Sequence, residues 1–399
     1  MAQQNILLKD WDNKPLREVL DTLESGGRPK GGAQKEGIPS IGGEHLNNDG
    51  KFNFEKMKFI PKDYFSSMSK GIIEKKDVLI VKDGATTGKT SFVNNDFPYE
   101  KSAVNEHVFI ARANDKIFSK YLFYFLYSLE GQEQLKKAIT GSAQGGINLS
   151  ILDKIYVKYP LSKETQRLIV SAIETQFTRL EESIQSLKSI KKKIDIYRKA
   201  ILKKAFERKE GWEEKTLKEA CEELFAGGDL PKGNWSKEKT DEYQIPIYAN
   251  GIQDKGLYGY TNIIRTNKKC VTVSARGTIG HTEIREEPFY PIVRLIVAIP
   301  KKELDYKYLK YNLDLIGVKG NGISIPQLTV PKIKLEKIAF PPSLSEQQKR
   351  VKEIESKFSI IDKIEVIVNN SLKKSEQLKK SILKSAFEGR LVKEEELNN

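Results

Sequence analysis

The stretch Asp83-Gly84-Ala85-Thr86-Thr87-Gly88-Lys89-Thr90 carries the residue types of a phosphate cradle: glycines that free backbone N–H groups, a lysine and hydroxyls. The spacing argues against that chemistry. A nucleotide-binding loop places four residues between its glycines, and only Ala85, Thr86 and Thr87 separate Gly84 from Gly88. The next residues, Ser91-Phe92-Val93-Asn94-Asn95-Asp96, do not continue as a helix, so no helix N-terminus would face a phosphate. A second version of the stretch, Arg276-Gly277-Thr278-Ile279-Gly280-His281, lacks the lysine. Both read as tight glycine turns between strands.

Other catalytic chemistry is equally thin. Asp96-Phe97-Pro98-Tyr99 resembles the Asp-Pro-Pro-Tyr loop of amino-methyltransferases, but Phe97 replaces a proline and no glycine-rich loop is placed to hold a methyl donor, so it reads as a turn. His45, His107 and His281 lie far apart without ligand spacing, so no metal site is expected. Paired carboxylates, a Ser-His-Asp order and a nuclease-like acidic set do not stand out. Cys221 and Cys270 sit in unrelated contexts, which gives neither a metal cluster nor a disulfide framework and points to a reducing cytoplasm. The opening MAQQNILLKDWDNK has no signal-peptide pattern, and no apolar run is long enough to span a membrane.

Charge points to a partner. The 399 residues carry a formal net charge of +14, with an isoelectric point near 9.3. That balance suits a polyanion, most often nucleic acid. Basic and polar residues collect where turns are expected: Arg28, Lys30, Lys35 and His45 early on; Lys82, Thr86 and Lys89 around the first glycine turn; Lys232, Asn250 and Gln253 later; Arg276, Thr278 and His281 around the second turn. These are the candidate DNA contacts. Two further glycine-rich loops, 141–149 with Gln144 and 320–328, fit either simple turn chemistry or contact with nucleic acid.

Two long segments position these turns. From Ser162 to about Lys209, apolar residues recur every three or four positions (Ile173, Phe177, Leu180, Ile184, Leu187) without proline or glycine. That is a heptad seam on a helix of ~40 residues, roughly 60 Å long. It needs a partner helix. From Ser343 the chain supplies one, with Ile354, Phe358, Ile361 and Val368 in the seam. The segments align at a constant offset: Pro160 with Pro341, Gln166 with Gln347, Phe177 with Phe358, Phe206 with Phe387. An offset held across a whole helix marks an internal repeat. The repeat reaches further. Trp11 and Leu16 with Gly26-Gly27 are echoed by Trp212 and Leu217 with Gly227-Gly228, and Val78–Val93 by Val271–Ile284. The organisation is therefore a recognition domain over 1–160, a spacer helix over 161–210, a second domain over 211–342, and a second helix with a tail over 343–399. The fold class is two mixed α/β heads in pseudo-twofold repeat, separated by two long helices that form an intramolecular antiparallel coiled coil. Within each head we expect short strands and one or two helices, including a helix over 118–130 and closing strands over 152–157 and 335–340. Unlike polar residues on a repeated scaffold would read unlike base sequences. A scaffold that tethers proteins without DNA also fits the coiled coil; the charge and the duplicated polar loops favour a DNA reader.

In this order the residues resemble the DNA specificity (S) subunits of type I restriction–modification systems over nearly the whole length. The resemblance rests on Trp-x4-Leu at the start of each unit, DGATTGKT and ARGTIGHT, the prolines and glutamines Pro160/Gln166 and Pro341/Gln347, and the helix ends AILKKAFERK and SILKSAFEGRLV. It implies target recognition domains that dock into the DNA major groove and a chain that is not itself an enzyme and holds no cofactor. It also implies two modification (M) subunits that use S-adenosylmethionine to methylate adenine N6, and motor-nuclease (R) subunits that use ATP and Mg.

Overall fold

The computed structural model describes residues 10–141, 145–317 and 327–392. Residues 142–144, with Gln144, and residues 320–326 of the two glycine-rich loops lie outside the described residues. The chain divides into two compact units, residues 1–187 with 371–399, and residues 188–370. The division falls inside both long helices, so each unit holds one head and a part of each helix.

In the first unit, Leu20–Ser25, Val108–Ala113, Val78–Val81 and Thr90–Phe92 form a four-stranded antiparallel sheet in that order. Its centre, Val-Leu-Ile-Val, is buried at every position, as expected of β-branched and aliphatic residues covered on both faces. A smaller sheet joins Lys58–Ile60, Ile38–Ile41 and Ala103–Val104. In the second unit, Cys221–Ala226, Ile296–Pro300, Cys270–Val273 and Thr282–Arg285 repeat the four-stranded order. There Ile245–Tyr248 takes the place of Ile38–Ile41 and again pairs in parallel with its late partner, Tyr290–Pro291. The repeat is thus one of topology and register as well as of sequence.

The glycine pairs have a steric reason. A Cβ on Gly26 would lie 1.6 Å from the carbonyl oxygen of Val104, and one on Gly227 would lie 2.6 Å from Pro291. Only glycine admits such approach.

Three expected elements differ in extent from their patterns. The helix expected over 118–130 stops at Tyr127, and a second helix, Leu129–Lys137, begins after Ser128, whose hydroxyl accepts from the Gly131 N–H. The closing strands begin late, at Tyr156 and Lys337. The residues before Tyr156 form the short helix Ile151–Lys154, which presents Ile151 to the core.

Lys163–Ala205 and Leu344–Phe387 are continuous helices of 43 and 44 residues, each about 65 Å long. Ser162 and Ser343 cap them, accepting from the N–H groups of Thr165 and Glu346. They run antiparallel. In the first unit Glu181 meets Lys379; in the second, Lys191 meets Asn369 and Arg198 meets Asp362 and Glu365. Of the expected seam, Ile173, Leu180, Ile354, Ile361 and Val368 are buried, while Phe177, Ile184, Leu187 and Phe358 are half-buried.

Each helix is tied to the head it leaves and to a head at its other end. Gln166 is fully buried: its Nε2 donates to the carbonyls of Pro160 (2.8 Å) and Lys116 (3.2 Å), and its Oε1 accepts from Phe118 N–H (2.7 Å). Gln347 repeats this with Pro341 (2.8 Å), Glu303 (2.9 Å) and Asp305 N–H (2.8 Å). At the helix ends, Phe387 packs edge-on to Tyr121 and Phe125 in the first unit, and Phe206 packs edge-on to Tyr308 in the second. Cys221 and Cys270 are free and buried, and burial pushes both thiols up to about 12.

Gln166→Leu removes three hydrogen bonds, one to the buried Pro160 carbonyl and two to the part-buried Lys116 carbonyl and Phe118 N–H. A loss of roughly 2–4 kcal/mol is expected in urea unfolding; an unchanged midpoint would refute the latch. The buried thiols set a second expectation. Their folded pKa lies above the ordinary value near 9, so the native state keeps protons that the unfolded chain has released. Stability is full below about pH 9 and falls as pH rises toward 12. Melting curves for wild type and for Cys221→Ala with Cys270→Ala should diverge in that window, the wild type losing more.

Candidate nucleic-acid interface

Each glycine turn closes between two core strands. In the first head, Gly88 N–H donates to Val81 O and Thr87 N–H to Gly84 O, and Thr90–Phe92 follows as a strand. No helix begins there, in keeping with a turn rather than a phosphate cradle. Asp96-Phe97-Pro98-Tyr99 is a turn whose Phe97 and Tyr99 pack with Phe52 and Phe54 in the head's core.

Three turns of the first head meet in a chain of charges. Arg28 Nε lies 2.7 Å from Glu106 Oε1, His107 Nδ1 lies 2.6 Å from Asp83 Oδ1, and His107 Nε2 lies 3.3 Å from Glu106 and 3.4 Å from Arg28. An aspartate on one histidine nitrogen is half of a nucleophile-activating triad. The other nitrogen here faces Glu106 and Arg28 instead of a hydroxyl or thiol. Among the described residues no group of His, Cys, Asp and Glu is arranged to hold a metal ion.

The candidate contacts distribute unevenly. Lys30, Lys35 and Lys232 are exposed on loops, and Gln253 is exposed at the start of the short helix Gln253–Gly256. Lys82 stands over the Phe109 ring, 5.5 Å from its centroid. Lys89 reaches the Leu46 carbonyl at 3.5 Å, and Thr86 lines the turn beside Gly43. Arg276 is exposed and donates to Gln327 Oε1 at 3.1 Å, and Thr278 is half-buried. His281 lies 3.0 Å from Glu283. Asn250 works as a brace: its Oδ1 accepts from Ala275 N–H (2.8 Å) and its Nδ2 donates to Val293 O (2.7 Å).

His45 does not fit the role expected of it. It is 1% exposed, accepts from Gly42 N–H through Nδ1 and lies 3.2 Å from Lys56 O through Nε2. Both nitrogens hold the loop, and none is left for a base. Glu106, which joins the chain of charges, and Arg294, on the matching turn of the second head, are not among the residues singled out from the sequence. Residues 104–108 and 291–295 share no identity, and only strand register aligns them, with Val104 and Pro291 both following the parallel pair.

A body plan of two like heads on paired helices, with unlike side chains on matching turns, defines a duplicated recognition module. A family model for the type I restriction modification DNA specificity domain matches residues 8–192 and again 209–384. The chain belongs to this family, the specificity subunits of type I restriction–modification systems. A Mycoplasma pneumoniae chain named as type I specificity subunit S.MpnORF89P is 37% identical over 132 residues, 33% of this chain and 39% of that relative's length. A Methanocaldococcus jannaschii chain named as the MjaX specificity subunit is 24% identical over 419 residues, spanning 96% of this chain and 94% of that one. A chain from a structural study of complex assembly and conformational transition in the type I R-M system superposes with a TM-score of 0.81 at 18% identity, over 96% of this chain and 98% of its own. That likeness is one of fold. Among the described residues, no helix is long and apolar enough to cross a membrane.

Proposed function

We propose that this chain is the sequence-specific DNA-binding subunit of a type I restriction–modification complex. It reads a bipartite, asymmetric target, one half-site per head, and performs no catalysis itself. Two M subunits, carrying S-adenosylmethionine, methylate adenine N6, and R subunits, with ATP and Mg, join to cleave unmodified DNA. The observation that carries the reading is the repeated scaffold with unlike chemistry on equivalent turns: Lys89 against His281, and Glu106 and His107 against Val293 and Arg294. A scaffold read twice with different side chains specifies two different sequences. The paired helices would act as the ruler between half-sites, and the net charge of +14 supplies the sequence-independent attraction to phosphate.

The second unit offers a feature suited to a protein partner. Ile360 (58% exposed), Ile364 (42%) and Ile367 (63%) follow helical spacing along one side of the second helix, and Ile190 and Tyr197 are exposed on the first. The repeat places Arg179, Ser183 and Ser186 at the positions matching the three isoleucines. Apolar side chains left in water along a stripe of this kind mark an interaction surface, and an M subunit is the occupant proposed.

Two experiments follow. The chain is co-expressed with its M partner and the methylated adenines are mapped by sequencing; a two-part target with a fixed gap is expected. Deleting one heptad from each long helix should shorten the gap by about three base pairs, and a variant that methylates with the original gap would refute the ruler. Ile364→Lys with Ile367→Lys should abolish co-purification of M while leaving the melting temperature of the chain within about 2 °C; full retention of M would remove this stripe from the interface.

A further inference from the structure

We propose that Arg294 is a base-reading residue of the second head that selects a guanine in its half-site, and that Asn250 is the positioning residue that aims it. The inference rests on the reading of the chain as a bipartite DNA reader and goes beyond it by assigning one contact.

Strand register gives the position. Ser40 and Ile41 pair with Ala103 and Val104 as Ile247 and Tyr248 pair with Tyr290 and Pro291. The turn that follows is framed alike in both heads. Asn105 N–H donates to Ile41 O and Val108 N–H to Asn105 O; Ile292 N–H donates to Tyr248 O and Leu295 N–H to Ile292 O. Glu106 and His107 therefore match Val293 and Arg294.

The two turns differ in backbone. Val293 and Arg294 have φ of 53° and 63°, whereas neither Glu106 nor His107 has a positive φ. Two successive left-handed residues make a turn that ordinarily calls for Asn-Gly, and a β-branched residue in that region is an outlier. The first head spans the same frame without it, so the scaffold does not demand the strain. Strain that the fold does not require, held at an exposed turn, points to what the turn presents.

The hold is tight. Val293 N–H donates to Gly228 O (2.9 Å), Arg294 N–H to Gly227 O (3.2 Å), and Asn250 Nδ2 to Val293 O (2.7 Å). Through its Oδ1, Asn250 also holds Ala275, beside Arg276. Arg294 itself is exposed, and among the described residues its guanidinium makes no hydrogen bond, ion pair or ring contact. The contrast with other arginines is plain: Arg28 is paired with Glu106, Arg285 is buried against Tyr248, and Arg265 lies over Phe225. A free guanidinium fork carried on a held backbone matches O6 and N7 of guanine in the major groove. A phosphate contact would not need that precision of aim, and lysine would serve it as well.

The test uses the full chain with its M partner and maps methylated adenines. Arg294→Ala and Arg294→Lys should both leave the first half-site intact and make one guanine position of the second half-site degenerate. An unchanged target in Arg294→Ala, or a fully restored target in Arg294→Lys, would overturn the assignment. Should Arg294→Ala abolish methylation, wild-type complex is assayed on DNA with 7-deazaguanine at each guanine of the second half-site in turn. A roughly 5- to 10-fold loss at one position supports the contact, and equal binding at all positions overturns it. Failure of the parent reading looks different: the wild-type complex would then methylate no two-part target at all.

Discussion

The architecture depends on a reciprocal aromatic contact. Phe206, the residue just after the first long helix, enters the core of the second unit against Tyr308; the second helix ends in Phe387, which enters the core of the first against Tyr121 and Phe125. Burying one such ring contributes roughly 2–3 kcal/mol. The consequence for the fold is larger than that figure, because the contact makes a helix that starts beneath one head part of the hydrophobic cluster of the other. Gln166 and Gln347 then fix the departure of each helix by satisfying backbone groups that would otherwise be buried without partners.

The same logic separates what holds each head from what it presents. The sheets are built from short runs of aliphatic residues whose register is the same in both units, and the glycine pairs at Gly26 and Gly227 are fixed by contact with a neighbouring backbone. Unlike charged and polar side chains sit on the turns that these strands close. One head places a charged chain of Arg28, Glu106, His107 and Asp83 there; the other places Arg276, Asn250 and Arg294.

Much of the fold was legible in the amino-acid pattern because it came twice. A heptad seam, the spacing from Pro160 to Gln166, and the matched ends at Phe206 and Phe387 all declare helices that pair, and the duplication turns weak motifs into a strong one. Where reading failed, a local feature overrode the pattern. Ser128 caps a new helix in the middle of an aromatic run, and Ile151–Lys154 turns as a helix to bury Ile151 before the closing strand begins. The interface was less legible. A histidine in a polar loop looks available, yet His45 is drawn inward because two backbone groups need its nitrogens. Arg294 sits in a segment with no counterpart by residue type, so only pairing of strands reveals what it matches.

The sharing of cores sets an order on synthesis. Leu383, Ala386 and Phe387 belong to the cluster that also contains Leu16 and Val19, so the head made first is completed last. At ordinary ribosomal speeds the interval between the end of the first segment of that unit, at residue 187, and the start of the second, at 371, is on the order of 10–40 s. During that time the nascent head carries an open apolar socket shaped for an aromatic ring. Apolar surface exposed for so long on a nascent chain is open to wrong contacts until the last helix turn arrives to cover it.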